Sequence, residues 1–261
     1  MRPGFLLYFR MSNSIVTDPL EISPADRDDR DRLAREYTEI AALAGGLAHE
    51  IRNPLSTISL NLDLLFEDLA ALQNPAAQRM TRKLAVIQKE CEHLDEILEA
   101  FLQFTRVGEI SREPCSLTAL IRNFLEFYQP EAAQHRIDIR PHLAADLPVL
   151  QLDSRLMRQV IHNLMRNAQQ ALPDGGLIEI QCYRGEQGVI LEIIDTGCGI
   201  PAAAADKMFQ LFFSTKNSGN GLGLPTVRKI VEAHGGRIFC ESEPGRGTRM
   251  TIVFPVMDEI S

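Results

Sequence analysis

Residues 44–60 read A-G-G-L-A-H-E-I-R-N-P-L-S-T-I-S-L. On a helix, Ile40, Leu43, Leu47, Ile51, Ile58, Leu62, Leu65 and Leu69 recur at three-to-four spacing and form one apolar stripe. His49 falls off that stripe. A neutral imidazole on the polar side of a packable helix is a nucleophile near neutral pH and is free to meet a partner. Glu50 does not share its helix face, yet a carboxylate beside the ring can fix the tautomer and stabilise the imidazolium formed on attack, the orienting role of a triad carboxylate. Pro54 removes a backbone donor and leaves the carbonyl of Glu50 without its helical partner, which predicts a bend one turn beyond His49.

A second group of polar residues lies in the C-terminal half. In H-N-L-M-R-N-A-Q-Q-A, Asn163 and Asn167 are four apart and share a helix face, where amide oxygens suit a hard ion held mainly by phosphates. D-T-G-C-G at 195–199 places Asp195 at the end of a β-rich run, followed by glycines that let backbone approach a ligand; a buried carboxylate there accepts a hydrogen bond from an exocyclic amine. F-Q-L-F-F-S-T-K at 209–216 sets an aromatic cluster beside Lys216, whose ammonium suits phosphate. G-N-G-L-G-L at 219–224 opens a helix, whose N-terminal amides and dipole favour an anion. It matches neither the dinucleotide fingerprint nor a Walker loop. Alone, two amides are commonly solvated and an Asp-Gly pair is commonly a turn; the order of the patches gives them weight.

These groups need two kinds of scaffold. A long helix runs to about residue 72, Asn74-Pro75 breaks it, and a second helix spans about 76–104 with Leu84, Ile87, Cys91, Leu94, Leu98 and Phe101 as a coiled-coil seam. One hairpin cannot bury a leucine stripe from both arms, so two copies are expected to form a four-helix bundle. After a linker the pattern changes. Residues 116–134 read as helix, 137–139 and 149–152 as strands, 154–172 as a helix ended by P-D-G-G, 178–183 and 189–195 as strands, about 221–233 as helix, and 237–241 and 248–254 as strands. Short turns between neighbouring strands predict a largely antiparallel sheet with helices on one face.

The net charge of -8 argues against nucleic acid or anionic lipid as a partner. Cys91, Cys115, Cys182, Cys198 and Cys240 form no C-x-x-C pair and have no His companions at ligand spacing, so reduced, mostly buried thiols of a cytoplasmic protein are expected. No apolar run approaches the roughly 20 residues of a membrane span. The opening M-R-P-G-F-L-L-Y-F-R lacks an adequate apolar region and a cleavage site, and Met11 is an alternative start. Residues 1–30 read as a flexible leader too short for a folded sensor, so an upstream sensor protein is expected to supply the signal.

The string H-E-I-R-N-P-L closely resembles the phosphoacceptor box of sensor histidine kinases. The later patches, in order, resemble the N, G1, F and G2 boxes of the GHKL ATP-binding fold. The resemblance implies that His49 is phosphorylated, Glu50 is its acid/base helper and Asn53 orients water for dephosphorylating the partner. It further implies ATP and Mg2+ as cofactors, with Asn167 the Mg2+ ligand, Asn163 beside it, Asp195 binding adenine, Gly197 and Gly199 shaping the base pocket, and Lys216, Gly219, Gly221, Leu222 and Gly223 lining the triphosphate. Gly245, Gly247 and Thr248 match the last glycine turn. Related ATPases have Glu where Asn163 stands; Asn cannot act as a general base, so the site is expected to spare ATP from water. Pro225 after the G2 box and Gln170, where some relatives have Lys, are departures, and the short lid at 201–219 resembles nitrogen-regulation type kinases.

The expected fold is α+β: a hairpin at 31–107 that dimerises and carries phosphotransfer, a linker at 108–114, a GHKL α/β sandwich at 115–256 and a tail at 257–261. The expected function is a homodimeric histidine kinase that autophosphorylates and passes the phosphoryl group to a response-regulator aspartate. A nucleotide-gated adaptor without activity and a GHKL serine kinase of anti-sigma type are the alternatives.

Overall fold

The computed structural model describes residues 50–72, 75–105, 110–215 and 219–256. They form two compact units, residues 50–105 and residues 110–256. The expected leader and tail, His49 and Lys216 lie outside the described residues.

The first unit is an antiparallel helical hairpin. Helix α1 is described over residues 50–70 and runs unbroken through Pro54; α2 is Pro75–Thr105. Ser56 Oγ and Thr57 Oγ1 donate to the carbonyls of Arg52 and Asn53, four residues back, at 2.9 and 3.1 Å. Gln88 Nε2 donates to Asp63 at 3.3 Å, and Arg52 reaches Asp95 and Glu99, which fixes the antiparallel register. Leu55, Leu62 and Cys91 pack together with Phe66 and Leu84 against them. The apolar seams read from spacing are therefore divided: Leu62, Cys91 and Leu98 are buried within the hairpin, whereas Ile51, Ile58, Leu65, Ile87 and Leu94 are exposed. A single hairpin has one internal contact face, so the remaining heptad positions point outward.

The second unit begins with β1 (Glu113–Cys115) and α3 (Leu117–Gln134), followed by β2 (Ile137–Leu143), β3 (Leu150–Leu152), α4 (Ser154–Gln170), β4 (Gly176–Gly185) and β5 (Gly188–Asp195). The short α5 (Ala202–Ala205), α6 (Gly223–Ala233), β6 (Arg237–Glu243) and β7 (Gly247–Phe254) complete it. The main sheet has the order β2-β4-β5-β7-β6, with β2 parallel to β4 and every other pair antiparallel. The mixed, largely antiparallel sheet expected from sequence is thus present. Strand β2 is longer than its pattern suggested because it is an edge strand, where Pro141 breaks no ladder bond.

One sheet face carries the core. Registered rows such as Ile180–Ile193–Met250 and Cys182–Leu191–Ile252 meet Met157, Val160, Ile161 and Met165 of α4 and Val227, Ile230 and Val231 of α6, all buried. These helical positions recur at three-to-four spacing, so each helix turns its apolar stripe onto the sheet. Glu113 and Pro114, read from sequence as linker, form β1 with Cys115 and pair with β3. A three-residue strand has too short a period to be recognised before its distant partner is known.

Candidate functional site

β5 is the central strand, and Asp195 ends it on the helix-covered face. Its row partners are Ile178 and Thr248. The carboxylate is buried, and Oδ1 accepts from the Gly197 amide at 2.9 Å, which sets its rotamer. Burial, with the charges of Asp195 and Glu241 adding to it, pushes the neighbouring Cys240 thiol up to about 12. Burial likewise pushes Cys182 up to about 12, so both remain neutral thiols. All five cysteines are free thiols; Cys91, Cys115 and Cys182 are buried, whereas Cys198 is exposed.

Three backbone turns close around Asp195. The Cys198 amide donates to Ala171 O at 3.1 Å, and the Gly245 amide donates to Cys198 O at 2.8 Å. Gly199 has φ 69°, and a Cβ there would lie 2.2 Å from Glu243 O. Gly247 has φ 109°, and its Cβ would lie 1.9 Å from Asp195 O. Only glycine satisfies both the dihedral and the approach. Ser242, which sequence reasoning missed, is the hub of this corner. Its Oγ accepts from Ile200 N at 2.8 Å, donates to Gly247 O at 2.9 Å and lies 2.9 Å from Thr248 Oγ1. With the Ser242 proton committed to Gly247, Thr248 is the donor of that last bond and keeps its lone pairs for a ligand. A serine in a strand carries no local signal for such a role.

The second wall is made by α4 and α6. Asn163 and Asn167 are both half-buried on α4, and Asn163 Nδ2 donates to Gly223 O at 3.4 Å. Helix α6 begins at Gly223 with no side-chain cap, so its first amides are available to an anion. Gly221 has φ 64° and receives the Phe212 amide on its carbonyl at 3.1 Å. Phe212 itself has φ 63°. Arg228 lies over the Phe209 ring at 5.9 Å, anchoring the start of the lid on α6. Leu222 is fully buried; its amide donates to Asn220 Oδ1 at 3.1 Å and its carbonyl accepts from Thr226 N and Oγ1 at 3.0 and 2.6 Å, which holds the turn in front of α6. Pro225 sits within the first turn of α6 without interrupting it. The structure therefore brings together Asn163, Gly221, Leu222 and Gly223 at one wall, and Asp195, Gly197, Gly199 and Thr248 at another. Glu50 and Asn53 lie exposed on α1 in the other unit.

A nucleotide fits this arrangement. A buried carboxylate at a glycine-lined corner suits an amino base, and an uncapped helix start suits phosphates. A Cβ built on Gly223 meets nothing within 4 Å, so there is open space in front of that helix start. Among the described residues no group of three His, Cys, Asp or Glu side chains is placed to hold a metal. Mg2+ commonly keeps several waters and is held by one or two protein oxygens together with substrate phosphates. The two glycines give a contrast. Gly247→Ala is expected to cost about 3 kcal/mol and lower the unfolding midpoint by about 10 °C in calorimetry. Gly223→Ala is expected to leave the midpoint in place while weakening nucleotide binding.

Residues 39–110 match the His Kinase A (phospho-acceptor) domain, and residues 152–258 match the histidine kinase-, DNA gyrase B-, and HSP90-like ATPase domain. The signal transduction histidine-protein kinase AtoS of Escherichia coli (strain K12) is 33% identical over 226 residues, covering 85% of this chain and 36% of AtoS. The catalytic domain of histidine kinase ThkA is 30% identical with a TM-score of 0.50, covering 56% of this chain and 95% of that domain. Full-length ShkA in complex with AMPPNP is 25% identical with a TM-score of 0.63, covering 83% of this chain and 47% of ShkA. The chain belongs to the sensor histidine kinases of two-component systems, with a phosphoacceptor hairpin followed by a GHKL ATP-binding domain. It spans 36% of the length of AtoS. No helix among the described residues is long and apolar enough to cross a membrane.

Proposed function

We propose that this chain is the ATP-dependent kinase core of a two-component system: it transfers the γ-phosphoryl group of Mg-ATP to His49 and then to a response-regulator aspartate. The observation that carries the reading is the buried Asp195 at its glycine-lined corner, joined in one unit to the uncapped start of α6. The AMPPNP bound by ShkA supports nucleotide as the ligand. Asp195 binds the adenine amine, Gly197 and Gly199 let the base approach, and Thr248 offers a second acceptor. The Gly219–Gly223 backbone and Lys216 hold the phosphates, and Asn167, beside Asn163, adds an amide oxygen to Mg2+. Catalysis is then mainly positioning and charge neutralisation. Asn163 supplies no general base, so bound ATP is kept from water until the imidazole arrives.

On the hairpin, His49 is the nucleophile, Glu50 orients it, and Asn53, one turn further, positions water in the reverse reaction on the regulator. The phosphoacceptor match at residues 39–110 favours this reading over an inactive adaptor or a serine kinase. The exposed heptad positions Ile51, Ile58 and Leu65 of α1, with Met80, Ile87 and Leu94 of α2, support a homodimer that buries them in a four-helix bundle. Replacing Ile58 and Leu65 together by lysine is expected to halve the mass measured by light scattering. Dependence on ATP and five unpaired thiols support a cytoplasmic location, with an upstream sensor protein as the source of the signal.

The test is incubation with γ-labelled ATP and Mg2+, followed by acid and base treatment of the labelled protein. Acid-labile, base-stable label is the expected outcome, because a phosphoramidate hydrolyses in acid. Acid-stable label would instead mark a phosphoserine and overturn the assignment.

A further inference from the structure

The described chain enters the nucleotide-binding unit through a stem, residues 110–115, that touches neither Asp195 nor the start of α6 in any bond described above. Its contacts converge on one place. The Ser111 amide donates to Asp153 Oδ2 at 3.2 Å, Arg112 Nη2 donates to Ala233 O at 2.8 Å, and Glu113 Oε1 accepts from Ser154 Oγ at 2.7 Å. Glu113 and Cys115 also pair with Leu152 and Leu150 of β3.

That place is a joint between two helices. Asp153 is the N-cap of α4 and accepts from the amides of Arg155 and Leu156, both at 3.0 Å. His234 is the C-cap of α6. Its ring Nδ1 lies 2.7 Å from Ile230 O, a pure acceptor, so Nδ1 carries the proton and Nε2 accepts the Asp153 amide at 2.9 Å. The stem holds both sides of this joint: Ser111 and Glu113 bind the start of α4, and the Arg112 cation binds the carbonyl end of α6, where the helix dipole favours it.

The same two helices are tied a second time at the nucleotide site, by Asn163 and Gly223. Asp153 and Asn163 are ten residues apart on α4, so the two ties are about 15 Å apart. A pair of rigid helices tied at both ends transmits a change in spacing at one tie to the other.

We propose that the stem Ser111–Glu113 is a latch that positions α4 against α6: docked, it sets the helix spacing that the nucleotide site requires, and released, it lowers nucleotide affinity. The inference rests on the nucleotide reading of the site. It makes the stem the route by which any strain arriving along the chain from the hairpin alters ATP binding, and linkage makes the coupling reciprocal, so nucleotide must also tighten the stem.

The experiment measures the Kd of Mg-AMPPNP for the full chain and for Arg112→Ala and Arg112→Ala/Glu113→Ala, with hydrogen exchange read at β1 and β3. Arg112 is exposed, so its loss does not endanger folding. The expected result is a Kd raised about fivefold in the single variant and further in the double one, at an unchanged unfolding midpoint. Exchange at β1 and β3 should be faster in both variants and slower in wild type once nucleotide is added. Arg112→Lys, which keeps the cation, should recover most of the affinity. Faster exchange with a Kd within twofold of wild type overturns the latch alone, as does nucleotide binding that leaves exchange of the stem unchanged. Absence of AMPPNP binding to wild type, or an Asp195→Asn variant that binds normally, overturns the site reading and the latch with it.

Discussion

Replacing His49 by glutamine abolishes acid-labile label from γ-labelled ATP, a loss of at least about 1000-fold, while nucleotide binding stays at the wild-type level. Glutamine is close to histidine in size and polarity, but its amide nitrogen has no free electron pair to attack phosphorus, so the substitution removes nucleophilicity and little else. The two readouts separate because His49 belongs to the segment matched as phosphoacceptor domain, whereas the nucleotide corner belongs to residues 152–258. A single catalytic group removed from a unit that otherwise retains its substrate lowers turnover without changing affinity. Label that persists in His49→Gln would sink the assignment. A parallel loss of nucleotide binding would indicate misfolding, which the unfolding midpoint would report.

Asp195→Asn weakens Mg-ATP binding about 100-fold, equivalent to about 3 kcal/mol, with little change in stability. Asparagine preserves shape and keeps an oxygen for the Gly197 amide, the bond that sets the rotamer. It replaces the other oxygen by an NH2 group. The proposed adenine amine then meets a donor where it met a charged acceptor, and two buried polar groups are left without partners. A site built around a buried hydrogen bond discriminates by this penalty rather than by the bond alone. The same logic makes Asp195 the selector against guanine, whose carbonyl at that position would face a carboxylate. Isothermal titration with ATP and GTP checks both statements. Equal affinity of wild type for the two nucleotides, or an Asp195→Asn variant that binds ATP normally, would remove Asp195 from the base pocket.

Much of the candidate site was legible because its parts are local. Asp195 and the glycines after it sit in one short turn, and the run at 219–224 contains the start of α6; such signals survive without knowledge of distant contacts. The lid aromatics were legible as a group, but spacing could not rank them. Phe209 receives Arg228, and Phe212 has a positive φ and lies with its backbone against Gly221, where a Cβ would come within 2.4 Å of it.

By itself the sequence determined the two kinds of scaffold, the order of the longer elements and the chemistry available at each box, since periodicity and turn residues are properties of neighbouring positions. Tertiary structure alone decided which positions are spent inside the hairpin: Leu55, outside the apolar stripe read from spacing, packs in one cluster with Leu62 and Cys91, while Ile58, a member of that stripe, is left exposed. It also decided that Glu113–Cys115 closes on Leu150–Leu152, that Ser242 joins three turns, and that Asp153 and His234 tie α4 to α6. These are pairings across dozens of residues. A hydrogen bond or a packed side chain has no preferred sequence separation, so only the folded chain can choose the partner.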